Sequence, residues 1–479
     1  MTLTLAIDQG THATRALVFD AQGRMLAHTS RPVYLRLHSR KEVEQSSDEI
    51  LDSLHYVMKE ILQQPGIDAV QIGSAGLATQ RSSVLAWDRR SGHALSPVLS
   101  WQDTRAAADL DALSRHESAI RECTGLRLSP HYGAGKLHWL LRNEAAVIAA
   151  HEQGTLAIGP LAGYLLHHLT GKGGERVDHA NASRTLLWNL ESRDWDPWLL
   201  GLFGIPQEVL PRCVPIIADY GLTRDGRIPV TAVNGDQSAA LYAWGMPAQD
   251  TLVINSGTGA FVLLPTGDSR RSHPGLLSGL SRSDGRSADH YLEGTVNGAA
   301  AALDWVAHQY RIPDWQAQAP AWLDEVKSPP VFLNSIGGLG APWWQPGPDP
   351  VFLPDNGDIP IGQGEAMVAA IESIVFLIQA NVELLRELHP GVKGIRISGG
   401  LAALDGLCTK LAILSGLCVE RSRTIESTAR GIAWLAAGCP DNWETPEVER
   451  RFLPRDDPQL SARYARFRSV MESALRPAP

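Results

Sequence analysis

LAIDQGTHATRALVFD, residues 5–20, reads as strand, tight turn, strand. Leu5-Ala6-Ile7 is a short apolar run that Asp8-Gln9-Gly10-Thr11 breaks. Arg15-Ala16-Leu17-Val18-Phe19 then resumes an extended apolar pattern that ends at Asp20. Gly10 can adopt backbone angles that turn amide N–H groups toward one point. Around it, Thr11 and Thr14 add hydroxyls, Arg15 adds a permanent cation, and Asp8 adds a carboxylate suited to a hydrated Mg2+. Together these groups suit a polyphosphate. An ordinary N-terminal hairpin with a polar turn has the same residue types, so the rest of the chain must decide between the two.

The same device returns in the second half. Leu252-Val253-Ile254-Asn255 runs into the turn Ser256-Gly257-Thr258-Gly259, and Ala260 to Leu264 follows. Around the two hairpins, strand-like and helix-like segments alternate, which indicates an α/β protein. Helices are expected over Ser46 to Leu62, Ala134 to Leu141, Leu161 to Leu169, Ser238 to Trp244, Gly294 to Trp305 and, longest of all, Gly364 to Leu388. Strands are expected at Ala69 to Gly73, Val84 to Asp88, Val230 to Val233 and Gly394 to Ser398. Thr170 to Glu175 and Ile336 to Asp349 read as loops. The break Gly245-Met246-Pro247 divides the chain into domains 1–245 and 246–479. The halves share no sequence identity that makes a repeat; only the hairpin device is common to both.

Composition sets bounds. The chain has 479 residues, 44% hydrophobic and 20% charged, with a formal net charge of −9. That is enough to bury a large core, and the acidic balance argues against a nucleic-acid partner. The five cysteines are an odd number with no Cys-x-x-Cys pair, which fits a reducing compartment. The apolar run at the start stops at Asp8 with no basic segment before it, so no signal peptide is expected. The expectation is a cytoplasmic protein with no membrane partner.

Several phosphate motifs are absent. Gly135-Lys136 precedes Leu137 and Gly171-Lys172 precedes Gly173, so neither completes a P-loop, and no protein-kinase catalytic loop occurs. What remains is two Gly/Thr hairpins, one per half, plus Gly399-Gly400, which together can hold phosphates from both sides of a cleft. Asp236, in the turn Asn234-Gly235-Asp236-Gln237, is the candidate general base for a substrate hydroxyl. An Asn-Gly-Asp-Gln turn is also a common loop with an Asx hydrogen bond. His167-His168 has no partner at metal-ligand spacing, and Trp343-Trp344 reads as loop packing, with carbohydrate stacking as the lesser reading.

An ordered set of stretches resembles the FGGY family of carbohydrate kinases, closest to its glycerol kinase-like members. The stretches are AIDQGTHATRALVFD at 6–20, LATQRSSVLAWD at 77–88, SWQDTR at 100–105, TGLRLSPHYGAGKLHWLL at 124–141, NASRTLLWNL at 181–190, NGDQSAAL at 234–241, NSGTGAFVLL at 255–264, LEGTVNGAA at 292–300, GGLGAPWW at 337–344 and ISGGL at 397–401. The resemblance implies a two-domain actin-like (ribonuclease H-like) ATPase fold with the active site in the interdomain cleft. It implies an ATP-dependent kinase acting on a small polyol or sugar, with ATP and Mg2+ as cofactors, in a dimer or tetramer. Asp8 matches the metal-proximal aspartate, and Asp236 the catalytic base beside the metal. Gly10, Thr11, Thr14, Arg15, Gly257, Thr258, Gly259, Ala300, Gly399 and Gly400 match the nucleotide site. Arg81, Ser82, Trp101, His131, Asp236, Gln237 and Phe261 match the polyol site.

The chain departs from the family pattern at Ser82, where a glutamate is usual, and at His131, where a tyrosine is usual, with Tyr132 adjacent and able to substitute for it. His12-Ala13 replaces a Thr-Ser pair in the first turn, and Ala300 and Leu404 replace a glycine and an asparagine. Less charge and more room at Ser82 favour a larger polyol or a ketose over glycerol. A non-catalytic ATP-binding switch on the same scaffold, and a phosphohydrolase, are the alternative readings.

Overall fold

The computed structural model describes residues 2–170, 176–354, 360–423 and 426–475. Each hairpin seeds one sheet. In the first, the strands lie in the order Val230–Gly235, Ile72–Thr79, Leu3–Gln9, Ala13–Phe19, Met25–Pro32. The first three are parallel and the remaining pairings antiparallel. The second sheet runs Leu277–Ser283, Ala288–Val296, Ala260–Gly267, Thr251–Ser256, Gly394–Ser398, Cys418–Ser422, Val448–Phe452. Its middle five strands repeat the first sheet's pattern of three antiparallel strands extended by two parallel ones, although the edge strand Leu277–Ser283 comes between the second and third antiparallel strands in the chain. One extra strand lies at each edge. The likeness between the halves is therefore topological, carried by strand order without sequence identity.

Alternation along the opening hairpin explains why the first sheet is covered on both faces. Leu5, Ile7, Ala16 and Val18 bury on one face, against Ile50, Leu54, Val57 and Ile61 of the helix Ser47–Leu62. Ser46 caps that helix by accepting from the Glu49 amide. Ala6, Leu17 and Ala78 bury on the other face, against Ala429, Ile432 and Ala433 of the helix Ser427–Ala436. That helix comes from the far end of the chain yet lies on the first sheet. It comes so close that a Cβ at Gly431 would be driven into the Ala239 carbonyl. The long helix Gln363–Leu388 fills the second half's core. By length and composition it could cross a bilayer, but it is buried almost all round by protein.

Strand register places the chemistry. Gln9 pairs with Thr79, and Thr79 with Gly235. The three parallel strands thus end level, and Gly10, Gln80-Arg81 and Asp236 leave the sheet side by side. In the second sheet Asn255 pairs with Ser398, so Ser256-Gly257 and Gly399-Gly400 also leave together.

Three expected elements differ. Ala69–Gln71 is a turn of 3₁₀ helix, and the strand is Ile72–Thr79, continued by pairing despite its glycines and alanines. The polar stretch before Asp236 is the end of the strand Val230–Gly235, and the helix begins at Asp236 itself and ends at Ala240. Gly294 to Val296 is strand, with Gly294 opposite Val262, and the helix is Ala300–Tyr310. A side chain at Gly294 would collide with Asn381 of the long helix, which accounts for a glycine mid-strand. In the expected loop Thr170 to Glu175, Thr170 closes a helix and the rest lies outside the described residues.

Candidate active site

The first hairpin's turn is fastened before any ligand is considered. The Gly10 amide donates to the Ala13 carbonyl at 2.9 Å. Gln80 Nε2 donates to Gln9 Oε1 at 3.1 Å and to Gln45 Oε1 at 2.8 Å, and Gln45 Nε2 donates to the Thr11 carbonyl at 2.8 Å. The Trp101 indole N–H donates to Thr11 Oγ1 at 3.0 Å. The Thr11 hydroxyl thereby accepts one bond and keeps its own hydrogen for a phosphate oxygen. Asp8 and Arg15 face each other across the hairpin, with Nη1 3.7 Å from Oδ2, and Arg15 also lies 3.7 Å from Glu426.

Asp8 is buried and accepts no hydrogen bond from the described residues. Burial, opposed by Arg15 and aided by Asp236 and Glu426, raises its carboxyl from 3.8 to about 7. A buried, donor-poor carboxylate near a second one is the kind of group a cation satisfies. Among the described residues no cluster of three or more His, Cys, Asp or Glu could hold a metal alone. This donor set fits Mg2+, which takes one or two carboxylates and leaves the remaining positions to water and phosphate oxygens.

Asp236 opens its helix beside Arg81, whose Nε lies 3.6 Å from Oδ1. Its Oδ1 also accepts from the Gln237 amide at 2.7 Å. Burial raises its pKa against the pull of Arg81 and Gln237, the direction a general base near neutrality needs. Gln237 Oε1 accepts from Asn255 of the second hairpin at 3.0 Å, and Arg81 lies over the Phe261 ring at 5.6 Å. Both halves therefore build this corner.

Sequence reasoning missed the groups that orient Arg81. Arg81 Nη1 donates to Glu293 Oε2 at 2.9 Å and to the Tyr291 hydroxyl at 2.8 Å. Arg184 Nη2 donates to the same two oxygens at 2.8 and 2.7 Å. All four residues are buried. Burial pushes the Glu293 carboxyl up, but Arg184 and Arg81 more than offset that, and it ends below the ordinary range. The available signal was a glutamate inside the otherwise apolar strand pattern Tyr291-Leu292-Glu293.

Trp101 and His131 form the outer wall. His131 is exposed, and its Nδ1 lies 3.1 Å from the Trp101 carbonyl. With the proton on Nδ1, Nε2 is left as an acceptor for a hydroxyl. Ser82 is buried, and its hydroxyl donates to the Arg184 carbonyl at 3.2 Å.

The second hairpin's turn is tied by the Gly257 amide to the Gly259 carbonyl at 2.8 Å, and the Ala300 amide donates to the Gly257 carbonyl at 3.1 Å. Thr258 is exposed at its tip. Gly399 has φ +91°, and a Cβ there would strike the Ser256 carbonyl, so only glycine fits. Gly400 faces open space beside it.

Thr14, expected in the nucleotide site, does not face this cleft. It is fully buried, and its hydroxyl lies 2.6 Å from Ser53 Oγ on the helix side of the sheet. Alternation places Arg15 at the cleft and therefore Thr14 away from it. The expected bystanders behave as packing groups. His168 stacks edge-on with Tyr164 and bonds the Gly92 carbonyl, and the Trp344 indole donates to the Gly275 carbonyl at 2.8 Å. Two hollows of about 580 Å³ open elsewhere, one beside Ile217 and Leu222 and one beside Cys123 and Trp198, and neither includes a residue of this site.

Residues 3–243 match the model of the FGGY family of carbohydrate kinases, N-terminal domain, and residues 252–438 match that of its C-terminal domain. A glycerol kinase of Cereibacter sphaeroides is 34% identical over 493 aligned positions, covering 98% of this chain and 99% of its own. The crystal structure of Plasmodium falciparum glycerol kinase with ADP superposes with a TM-score of 0.87 at 23% identity, over 100% of this chain and 99% of its own. A xylulose kinase from Rhodospirillum rubrum superposes with a TM-score of 0.83 at 20% identity, over 98% of each chain.

Proposed function

We infer, since the chain belongs to the FGGY family of carbohydrate kinases, that it transfers the terminal phosphoryl group of ATP to a primary hydroxyl of a small polyol or sugar. The observation that carries the residue assignment is the level ending of three parallel strands. It sets Asp236 beside Arg81 and brings both next to the hairpin that carries Asp8, Thr11 and Arg15.

The contacts support the following division of labour. Asp236 takes the proton of the acceptor hydroxyl as the new oxygen–phosphorus bond forms and the bond to ADP breaks. Arg81, Gln237 and His131 orient the acceptor's hydroxyls, while Trp101 and Phe261 cover its C–H faces. Thr11, Arg15 and the backbone of Gly10 meet the phosphates from one side, and Gly257 to Gly259 with Ala300 meet them from the other. Gly399 and Gly400 lie at the nucleoside end. Mg2+ at Asp8, with Asp236 near it, supplies charge neutralisation at the transferring group when bound. The division at Gly245–Pro247 separates the acceptor half, 1–245, from the nucleotide half, 246–479. All five cysteines are free, which supports a reducing, cytoplasmic setting.

Ser82 and His131 set the acceptor. A small, internally bonded serine and an imidazole acceptor suit a polyol or ketose longer than glycerol. The test is ADP release with MgATP and a series of polyols and ketoses of three to six carbons. Acceptor-dependent turnover is expected, and Asp236→Asn should lower kcat by about 10²–10⁴ with ADP affinity retained. ATP-driven closure without turnover of any acceptor would favour a binding switch, and steady phosphate release without acceptor a hydrolase. Either would overturn the reading.

A further inference from the structure

Lys136 has no place in the chemistry above. It lies in the first turn of the helix Gly133–Asn143 and is fully buried. Its ammonium donates three hydrogen bonds, to the carbonyls of Ser82 at 2.7 Å, Ser100 at 2.8 Å and His131 at 2.8 Å. An ammonium has three N–H donors, so each is used once. Among the described residues no carboxylate lies within ion-pair distance of Nζ. The Asp103 carboxylate is taken by Arg105 and by the Val43 amide. A buried cation with no carboxylate in contact, Asp103 acting on it only from a distance, is expensive to keep, so its three carbonyl bonds must matter to the fold or to the site.

The three carbonyls come from three separate segments. The first is the turn after the strand Ile72–Thr79, the second follows the strand Val98–Leu99, and the third is the loop before Gly133. Each segment carries acceptor-site residues: Arg81 and Ser82, Trp101, and His131. Ser82 has φ +63°, the left-handed region that a serine seldom occupies, so its peptide needs holding. Its carbonyl goes to Lys136 and its hydroxyl to Arg184. Beyond Ser100, the Trp101 indole continues the tie to Thr11 of the phosphate hairpin.

We propose that Lys136 is the positioning residue of the acceptor pocket, a three-way clamp that sets the spacing of the Arg81-Ser82 turn, Trp101 and His131. The proposal rests on the kinase reading for the identity of the pocket. A merely structural lysine would lower stability and the active fraction without moving one substrate's KM alone.

The full-length protein is compared with Lys136→Met, which keeps the stem and removes the donors, and Lys136→Gln, which keeps a two-donor amide. Glycerol and D-xylulose are the acceptor probes. Lys136→Met should raise the KM of the acceptor by about tenfold or more, with the KM of ATP changed less than about twofold and Lys136→Gln between. Amide hydrogen exchange should quicken in peptides spanning 80–84, 99–103 and 129–133 and stay unchanged in the second hairpin, 252–264. Equal shifts in both KM values, exchange that quickens throughout, or no change in either measurement would overturn the proposal. If Lys136→Met does not fold, the same pattern is read from Lys136→Gln. If the wild type phosphorylates neither probe nor any acceptor in the wider series, the kinase reading fails, and the exchange pattern alone decides whether Lys136 clamps the three segments.

Discussion

Replacing Asp8 by asparagine should make the ligand-free protein more stable at pH 8 and change it little at pH 4. Asp8 is buried, its carboxylate accepts no hydrogen bond from the described residues, and its one ion-pair partner, Arg15, is 3.7 Å away. Burial, with help from Asp236 and Glu426, raises its pKa from 3.8 to about 7. At about 1.4 kcal/mol per pH unit, ionising Asp8 inside the fold costs on the order of 4 kcal/mol. The folded state holds this proton more tightly than the unfolded chain does. The group's contribution is therefore intact below about pH 4, is lost as pH rises toward 7, and is level above that. Asparagine has the same shape and no proton to lose, so the variant escapes the penalty. The assay is urea unfolding at pH 4, 5, 6, 7 and 8 in EDTA, wild type against Asp8→Asn. The gap between the midpoints should be small at pH 4, widen in favour of the variant through pH 5 and 6, and level off from about pH 7. Adding Mg2+ with ADP at pH 8 should stabilise the wild type by mass action and the variant much less, reversing the order. A gap that stays constant with pH, or a wild type that is the more stable without cation at pH 8, would refute the picture of Asp8 as a cation-awaiting carboxylate.

Two other substitutions probe the surroundings. Glu293→Gln leaves Arg81 and Arg184 buried together without their shared carboxylate, and should cost about 3–5 kcal/mol in urea unfolding while raising the acceptor's KM more than that of ATP; an unchanged unfolding midpoint would show that the charge cluster is not held as described. Thr14→Val removes a hydroxyl that is bonded to Ser53, so it should cost about 1 kcal/mol of stability and leave the KM of ATP unchanged; a large rise in that KM would return Thr14 to the phosphate site.

What could be read from the sequence was whatever repeats at short range. The alternation of Leu5 to Phe19 gave the hairpin, and the long apolar periodicity after Gly364 gave the core helix, because each pattern is complete within its own segment. Alternation also contained the answer on Thr14, since Asp8 and Arg15 face one side only if Thr14 faces the other. The strand through Gly294 was hidden because its glycine is dictated by Asn381 of the long helix packed on it, and that helix is far away in the sequence. The Arg184–Glu293 pair spans 109 positions, and the Lys136 clamp joins segments up to 54 positions apart. Neither is encoded in any window that periodicity can see.

The buried charges also bear on how acceptor binding is felt by the rest of the molecule. Arg81 leaves the first sheet, and its partners Tyr291 and Glu293 sit on the second. Gln237 likewise meets Asn255, and the Thr428 hydroxyl, on the helix that crosses back to the first sheet, donates to the Asp236 carbonyl at 3.3 Å. Residues proposed to hold the acceptor thus also join the two halves. On the proposed assignment, a hydroxyl arriving at Asp236 would compete with Arg81 for that carboxylate, and a shift of Arg81 would be felt by Glu293, Tyr291 and Phe261 on the other half. The seam and the pocket are one network, so a change in one is transmitted to the other without any dedicated relay. The turn of the phosphate hairpin is tied within the first half, by Gln80 to Gln9 and Gln45 and by Trp101 to Thr11, while Arg15, 3.7 Å from Glu426, reaches across to the second. A change in the angle between the halves is therefore expected to leave the turn's shape intact and to be felt at the hairpin through Arg15.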